Sequence, residues 1–239
     1  ARLMSAGATL QTSGDFNLTV MTSPPAVPWT TVPEAVDHLI NAAEKSSDGG
    51  VPVVTQLPAI ARAGDTITTV VTLTDGGLLK LSATLSLADV QMGQVSQLIT
   101  QSALSADGTY PVITTYTSII TGLTNAPTDN TFRLDTTPPV APAADLAASS
   151  DLGASHTDHI TSDSTPTILG SGSPGDTITV TMPTGEVLTT IVASNGNWSV
   201  TPTLSLVNGT QSVSVIATDP AGNVGPASIV TLTIDTILP

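Results

Sequence analysis

Short stretches in which apolar and polar residues alternate recur along most of the chain. Examples are "DTITVTM" (176–182), "SVSVIAT" (212–218) and "IVTLTI" (229–234), where β-branched residues occupy many of the alternating positions. A period of two directs successive side chains to opposite faces of a strand, so these stretches predict β-strands with one buried face. Clusters such as "SPGD" and "SNGN" separate them and predict turns.

The chain also repeats itself. The segment "GTYPVITTYTSIITG" (108–122) matches "GTQSVSVIATDPAGN" (209–223), with Gly108 aligned to Gly209, 101 positions later. The phrase "LDTTPP" (134–139) recurs as "IDTILP" (234–239), and a degraded copy, "VMTSPP", stands at 20–25. Self-similarity at a fixed period indicates repeated structural units. We therefore predict one unit over 22–135 and a second over 136–239, with 1–21 as the terminal strand of a preceding unit.

About seven short strands in roughly 100 residues is the pattern of an immunoglobulin-like sandwich. The predicted fold class is therefore all-β, with tandem immunoglobulin-like β-sandwich domains. The strands predicted for the second unit lie near 143–148, 165–170, 176–182, 186–193, 197–201, 209–218 and 227–234. The stretch "VPEAVDHLINAAEK" (32–45) predicts a short helix or helical turn in the first loop of the first unit. Trp198 is predicted to pack one end of the second sandwich, with ligand stacking as the alternative.

Charge then excludes two classes of partner. The chain has 5 Lys+Arg against 19 Asp+Glu and a formal net charge of -14. A surface that follows phosphates needs clustered basic residues, so nucleic acid and anionic membrane surfaces are excluded as partners. The chain has no Cys, so no disulfide holds the fold. Repulsion among like charges is relieved by divalent cations in one interpretation. In the other, the acidic residues only keep the protein soluble.

Several stretches together resemble a known family. "LDTTPPVAP", "SDLGASHTDHITSDSTPTILG", "NGNWSV" and "ATDPAGN" resemble the bacterial Ig-like repeats of giant RTX adhesins and biofilm-associated proteins exported by type I secretion. The resemblance covers nearly the whole chain. It implies an extracellular, non-enzymatic stalk segment at the bacterial cell surface, often stiffened by Ca²⁺, that supports adhesion and biofilm formation. Its partners would be neighbouring repeats, while other domains of the parent contact host or biofilm surfaces.

The order of strands predicts where calcium would bind. In such a unit the loop after strand A lies at one end, and the loop between strands F and G lies at the other. The A–B loop of one unit, the linker and the F–G loop of the next unit therefore converge. At the central junction this gives candidate ligands from the first unit, the linker and the second unit: Asp37, Asn41, Glu44, Asp135 and Asp219. Oxygen ligands of this kind suit Ca²⁺. The alternative is that these acidic residues only cap turns.

The two outer ends differ from the centre. The downstream end of the second unit offers Asp151, Asp158 and Asp235, with Asp163 a weaker candidate, and its partner F–G loop would belong to a third unit. At the upstream end Met21 stands in the place of Asp135, and Ser118 in that of Asp219. Both acidic residues are missing from one junction, so we predict no equivalent ion there.

Two other functions compete with the stalk hypothesis. An enzyme is disfavoured, because His156 and His159 lack a third clear nitrogen ligand for zinc and no GxSxG motif occurs. A ligand-binding adhesin module that recognises a sugar or a protein surface is the stronger alternative. Its site would lie in the loops of the first unit, around Trp29 and His38.

Overall fold

The structure is a computed structural model that describes residues 29–33, 38–152 and 155–237. The strands of the first half are β1 (Trp29–Thr31), β2 (Leu39–Ile40), β3 (Gly50–Gln56), β4 (Thr66–Thr72), β5 (Leu78–Thr84), β6 (Gln94–Thr100), β7 (Gly108–Thr117) and β8 (Thr128–Leu134). Its helices are α1 (Ala42–Ser46), which runs into a 3-10 turn at Ser47–Gly49, and α2 (Leu87–Met92).

The second half repeats this plan with fewer residues. Its strands are β9 (Ala143–Leu146), β10 (Ile160–Thr161), β11 (Ile168–Ser171), β12 (Thr177–Thr181), β13 (Val187–Ile191), β14 (Asn197–Val200), β15 (Gly209–Thr218) and β16 (Ser228–Ile234). These bounds confirm all seven strands predicted there. The two-residue strand β10 was not predicted.

Each half is a sandwich of one five-stranded and one three-stranded sheet. The five-stranded sheets have the orders β2-β8-β7-β4-β5 and β10-β16-β15-β12-β13, and the three-stranded sheets β1-β3-β6 and β9-β11-β14. The two orders are equivalent strand by strand. The short strands β2 and β10 pair parallel to β8 and β16, whereas all other described pairs are antiparallel. The all-β prediction is therefore confirmed.

Period-two alternation explains where the cores lie. Along β7 and β15 buried and more exposed positions alternate, so one face of each strand enters the core and the other meets solvent. In the first sandwich Tyr110 stacks on Phe132 with ring centroids 5.2 Å apart. In the second, Trp198 is buried in the main apolar cluster, which confirms its packing role.

The stretch 32–45, predicted to contain a short helix or helical turn, contains the start of one at its end. Leu39 and Ile40 form a strand beside β8, and α1 begins only at Ala42. His38 has a φ of 65°, a left-handed conformation that no helix contains. His159, directly before β10, has a φ of 59°. The same local turn therefore introduces the short parallel strand in both sandwiches.

Candidate functional site

The A–B loop of the first sandwich (residues 32–49) ends in a tightly capped helix. Oδ1 of Asn41 accepts hydrogen bonds from the backbone N–H groups of Ala43 at 2.8 Å and Glu44 at 2.9 Å. The carboxylate of Glu44 accepts one from the backbone N–H of Asn41 at 2.9 Å. This reciprocal capping box fixes the first turn of α1. It also leaves the Nδ2 group of Asn41 free to point away from the helix.

That amide group reaches the second sandwich. Nδ2 of Asn41 donates to the carbonyl oxygen of Ala221 at 2.9 Å, and the backbone N–H of Ala42 donates to Oδ1 of Asn223 at 3.1 Å. Ala221 and Asn223 belong to the F–G loop of the second sandwich (residues 219–227). Two hydrogen bonds therefore join the end of one sandwich to the beginning of the next.

Asn223 completes the junction. Its Nδ2 group donates to the carbonyl oxygen of Asp135 in the linker at 2.7 Å and to Oδ2 of Asp219 at 2.9 Å. Its backbone N–H donates to Oδ1 of Asp219 at 2.8 Å. Asn223 is only 6% exposed, so these polar groups need the partners that they have. The predicted convergence of A–B loop, linker and F–G loop is confirmed.

Sequence reasoning missed the central role of Asn223. The signal was present in "ATDPAGN", where an amide follows the aspartate by four positions. By itself, an Asx residue in such a loop indicates only a turn. Asn223 contacts Ala42 and Asp135, which are far away in sequence, so no local sequence pattern predicts these contacts.

The predicted calcium ligands of this junction meet only in part. Asp37 lies outside the described residues. Glu44 caps α1, while the carboxylate of Asp135 contacts the guanidinium of Arg133 at 3.2 Å and the N–H of Thr137 at 3.4 Å. Asp219 accepts both of its bonds from Asn223. Within the described ranges no group of three or more His, Cys, Asp or Glu side chains is arranged to hold a metal ion.

The predicted ligands that the structure describes at the central junction therefore have the atom types that calcium prefers, but they are not arranged around one point. Their atoms are hard oxygens, which suit Ca²⁺. An ion bound at Oδ2 of Asp135 would compete with the guanidinium of Arg133. Whether Asn41, Glu44, Asp135 and Asp219 bind calcium stays a prediction.

The downstream end fits a cation better. Asp151 is 1% exposed, and among the described residues no hydrogen-bond donor reaches its Oδ1 atom. Its Oδ2 atom accepts a long bond of 3.4 Å from the backbone N–H of His159. A buried carboxylate oxygen without a donor is costly, and a bound cation would remove that cost.

The other downstream candidates lie around the same loop. Asp158 accepts a hydrogen bond from the N–H of Ile160 at 3.1 Å, and Asp163 accepts one from the N–H of Thr165 at 2.9 Å. The backbone N–H of Asp235 donates to the carbonyl oxygen of Thr161 at 2.8 Å, which brings the start of the next linker beside this loop. Their role as ligands is untested by these contacts and stays a prediction.

Asp65 and Asp176 are buried acidic residues in matching turns, and their surroundings differ between the two sandwiches. In the first, Asp65 closes its turn through the N–H of Arg62 at 2.7 Å and also accepts bonds from the Tyr116 hydroxyl and the N–H of Ile119. Burial, and then the bond to Asp65 and its charge, raise the pKa of Tyr116.

In the second sandwich the matching residue, Asp176, has a second acidic residue nearby. Burial and then the negative charge of Asp219 raise the pKa of Asp176. Asp219 therefore adds to the negative potential at the central junction, which a cation would relieve.

The predicted alternative site in the first sandwich receives no support from the described contacts. The ring of His38 is exposed, and its Nδ1 atom lies 3.3 Å from the carbonyl oxygen of Thr131. A ligand site there stays a prediction.

Comparison with known families identifies the second half. Residues 137–236 match the family model of the bacterial Ig-like domain. The second sandwich is a bacterial Ig-like domain. The matched range contains every strand from β9 to β16, so this bacterial Ig-like domain includes both the loop of Asp151 and the loop of Asn223. The resemblance inferred from the sequence is thus confirmed for these residues.

Solved structures similar to the chain include several bacterial adhesins. One, described as a Ca²⁺-stabilized adhesin that helps an Antarctic bacterium reach out and bind ice, is 23% identical with a TM-score of 0.43, over 88% of this chain and 50% of that chain. A second, from work on host cell surface retention of a 1.5-MDa bacterial ice-binding adhesin, is 23% identical with a TM-score of 0.42, over 89% of this chain and 66% of that chain. A biofilm-associated protein is 21% identical with a TM-score of 0.30, over 89% of this chain and 30% of that chain.

The chain thus spans half the length of the first of these structures and less than two thirds of the second. No curated protein sequence matches it. In the part of the chain that the structure describes, no helix is long and apolar enough to cross a membrane.

Proposed function

We propose that this chain is an extender segment of a large bacterial cell-surface adhesin. Residues 22–135 and 136–239 would be successive Ig-like repeats, and 1–21 would end a preceding one. The observation that carries this proposal is the junction network of Asn41, Ala42, Asp135, Ala221 and Asn223, which joins two sandwiches end to end. The family match of the second sandwich supports it.

Such a segment acts mechanically and not as an enzyme. A flexible linker lets neighbouring domains swing, whereas contacts that grip both domains and the linker turn them into a rod. The prolines Pro138, Pro139 and Pro142 restrict the linker further. The parent would be exported by type I secretion as an RTX adhesin and would act outside the cell in adhesion and biofilm formation, while other domains meet the target surface.

Calcium would add stiffness to this rod. The residues that would hold it are Asp37, Asn41, Glu44, Asp135 and Asp219 at the centre, and Asp151, Asp158 and Asp235 downstream. A bound ion supplies positive charge that links carboxylates from successive repeats and binds the folded state only. The buried, unpartnered Oδ1 atom of Asp151 supports the downstream site, and the Asp176–Asp219 repulsion supports the central one.

Small-angle scattering with calcium and then with excess chelator tests this function. We expect calcium to narrow the distribution of sandwich orientations and to increase the maximum dimension. Asp135→Ala should abolish that calcium response at the centre while both sandwiches stay folded, because the Asn223 contact uses the backbone carbonyl of Asp135. Identical scattering profiles with calcium and with chelator would refute calcium stiffening. A chain that bends freely in both conditions would refute the extender role itself.

A further inference from the structure

The F–G loops of the two sandwiches begin from the same framework. Thr117 bridges Thr124 in the first sandwich as Thr218 bridges Val224 in the second. Directly after the strand, the N–H of Ser118 donates to the carbonyl oxygen of Leu123 at 3.0 Å. The corresponding bond in the second sandwich, from Asp219 to Asn223, measures 3.1 Å. Leu123 therefore occupies the position of Asn223.

The F–G loop of the first sandwich is one residue longer, so Ile120 and Thr121 together stand where Ala221 stands. In the second sandwich that position lies against the preceding sandwich, because the carbonyl oxygen of Ala221 accepts the bond from Asn41 and Ala221 is only 8% exposed. In the first sandwich Ile119 and Ile120 are 64% and 65% exposed. At the positions of Ala221 and Asn223 the first sandwich thus carries the larger apolar side chains of Ile120 and Leu123, while Ser118 replaces Asp219.

We name Ile119, Ile120 and Leu123 the apolar F–G surface. Neighbouring aliphatic side chains at one end of a domain mark a contact surface when they occupy the position of a known contact. Here the known contact is the one that Ala221 and Asn223 make. The question is which segment covers the apolar F–G surface.

The central linker shows which segment lies against this loop in the second sandwich. After Asp135 it follows the F–G loop of the second sandwich, since a Cβ atom on Gly225 would lie 2.5 Å from the carbonyl oxygen of Pro139. Oγ of Ser228 donates to the carbonyl oxygen of Pro142, and strand β9 then begins at Ala143.

The first sandwich has the matching linker in its own sequence. Strand β1 begins at Trp29, directly after the proline of "MTSPPAVP" (21–28), as β9 follows "DTTPPVAP" (135–142). The linker preceding the first sandwich is therefore residues 21–28, and its first residue is Met21 in place of Asp135. The residues before it, "DFNLTV" (15–20), carry three further apolar side chains.

We propose that the apolar F–G surface is the docking site of the chain's own segment 15–28. Met21 packs against Ile120 and Leu123, so that an apolar contact replaces the amide network of the central junction. Burial of each aliphatic side chain favours docking without any charge to neutralise. The upstream junction is then insensitive to chelators, whatever calcium does at the other two.

Thiol cross-linking tests the proposal directly, because the chain has no Cys of its own. In the full chain, Met21→Cys with Ile120→Cys is treated with a short bis-maleimide, and the intramolecular product is followed by mass. The matched control is Met21→Cys with Leu78→Cys, whose partner site is 70% exposed on the strand end farthest from the F–G loop. We expect fast cross-linking of the first pair only, at the same rate in calcium and in chelator.

A second variant separates docking from mere tethering. Leu123→Ser, added to the Met21→Cys and Ile120→Cys pair, removes one apolar contact but leaves the tether unchanged. We expect cross-linking to slow by about tenfold, as the loss of one buried aliphatic side chain implies. An unchanged rate, or a rate no higher than that of the Leu78 control, would overturn the proposal. Calorimetry confirms that each variant is folded.

Discussion

The backbone N–H of Ala42 donates a hydrogen bond to Oδ1 of Asn223, 3.1 Å away across the junction between the two sandwiches. Through its other amide group Asn223 also contacts the linker carbonyl of Asp135 and the carboxylate of Asp219. One side chain therefore touches all three segments that set the angle between the domains. Direct hydrogen bonds can restrain this hinge without an ion, and calcium would act on a junction that is already partly ordered.

Asn223→Ala should loosen this junction in the presence of chelator. It removes three hydrogen bonds of the side chain, each worth about 0.5–1.5 kcal/mol. We expect a broader distribution of interdomain distances by small-angle scattering, with both sandwiches still folded. Asn195→Ala is the control, because Oδ1 of Asn195 accepts only the N–H of Asn197 within its own turn. Scattering curves of the two variants that superimpose would contradict the role of Asn223.

The strands could be predicted from the sequence because their alternation is local. In β15 the buried positions follow a period of two, and the turns around it carry Gly and Pro. The convergence at the junction could also be predicted, because the order of strands decides which loops share an end. The short helix in the first loop was predicted within 32–45, but its start could not be, because the left-handed turn at His38 and the cap at Asn41 place it at Ala42.

The chemistry of the site was less predictable for a different reason. Whether a carboxylate is free to bind an ion depends on donors that arrive from distant residues. The carboxylate of Asp135 contacts the guanidinium of Arg133, and that of Asp219 accepts a hydrogen bond from Asn223. Asp151 is buried, and among the described residues its Oδ1 atom has no hydrogen-bond partner. These three acidic residues look alike in sequence, and only folding separates them.

Asp151→Asn should have opposite effects with and without calcium. In chelator the variant relieves a buried, poorly paired charge, so the second sandwich should be as stable as the wild type or more stable. In calcium the free energy of unfolding of the wild type should rise by about 2.7 kcal/mol at roughly one hundred times the Kd, and that of the variant should not. Calorimetry with and without calcium measures both effects. Asp75→Asn, in a turn of the first sandwich, is the control. Equal calcium shifts for wild type and Asp151→Asn would exclude this residue as a ligand.

The linker anchor at Asp107 predicts a pH dependence. The carboxylate of Asp107 accepts hydrogen bonds from the N–H of Thr136 at 3.0 Å, from the Thr136 hydroxyl at 2.8 Å and from the Thr137 hydroxyl at 2.8 Å. Burial opposes its ionisation, but the bonds from Thr136 and Thr137 and the charge of Lys45 together lower its pKa. Because its pKa is lower in the folded state, the ionised carboxylate stabilises the fold at pH values above the unfolded pKa of about 3.9. This stability is lost as the pH falls through the folded pKa.

The second sandwich carries the neutral version of this anchor. Oδ1 of Asn208 accepts the N–H and the hydroxyl of Thr236 at 3.2 and 2.9 Å. Asp107→Asn should therefore keep the main contact to Thr136 while removing its pH dependence. Thermal unfolding from pH 3 to pH 7 should show wild type and variant converging at the acid end. Curves that stay parallel throughout would contradict this assignment.

Tyr116→Phe should destabilise the first sandwich more than Tyr110→Phe. Both variants keep the ring and lose a buried hydroxyl, but Tyr110 donates to the carbonyl oxygen of Ala106 at 2.6 Å, whereas Tyr116 donates to the carboxylate of Asp65. A hydrogen bond to a charged group contributes about 1.5–3 kcal/mol, against about 0.5–1.5 kcal/mol for a neutral one. Calorimetry should show a larger fall for Tyr116→Phe, with the transition of the second sandwich unchanged. The pKa of Tyr116 is raised, so its advantage over Phe is full below the unfolded value of about 10 and is lost as the pH rises through the folded value. Equal losses for the two variants would mean that Asp65 is satisfied by the N–H groups of Arg62 and Ile119 alone.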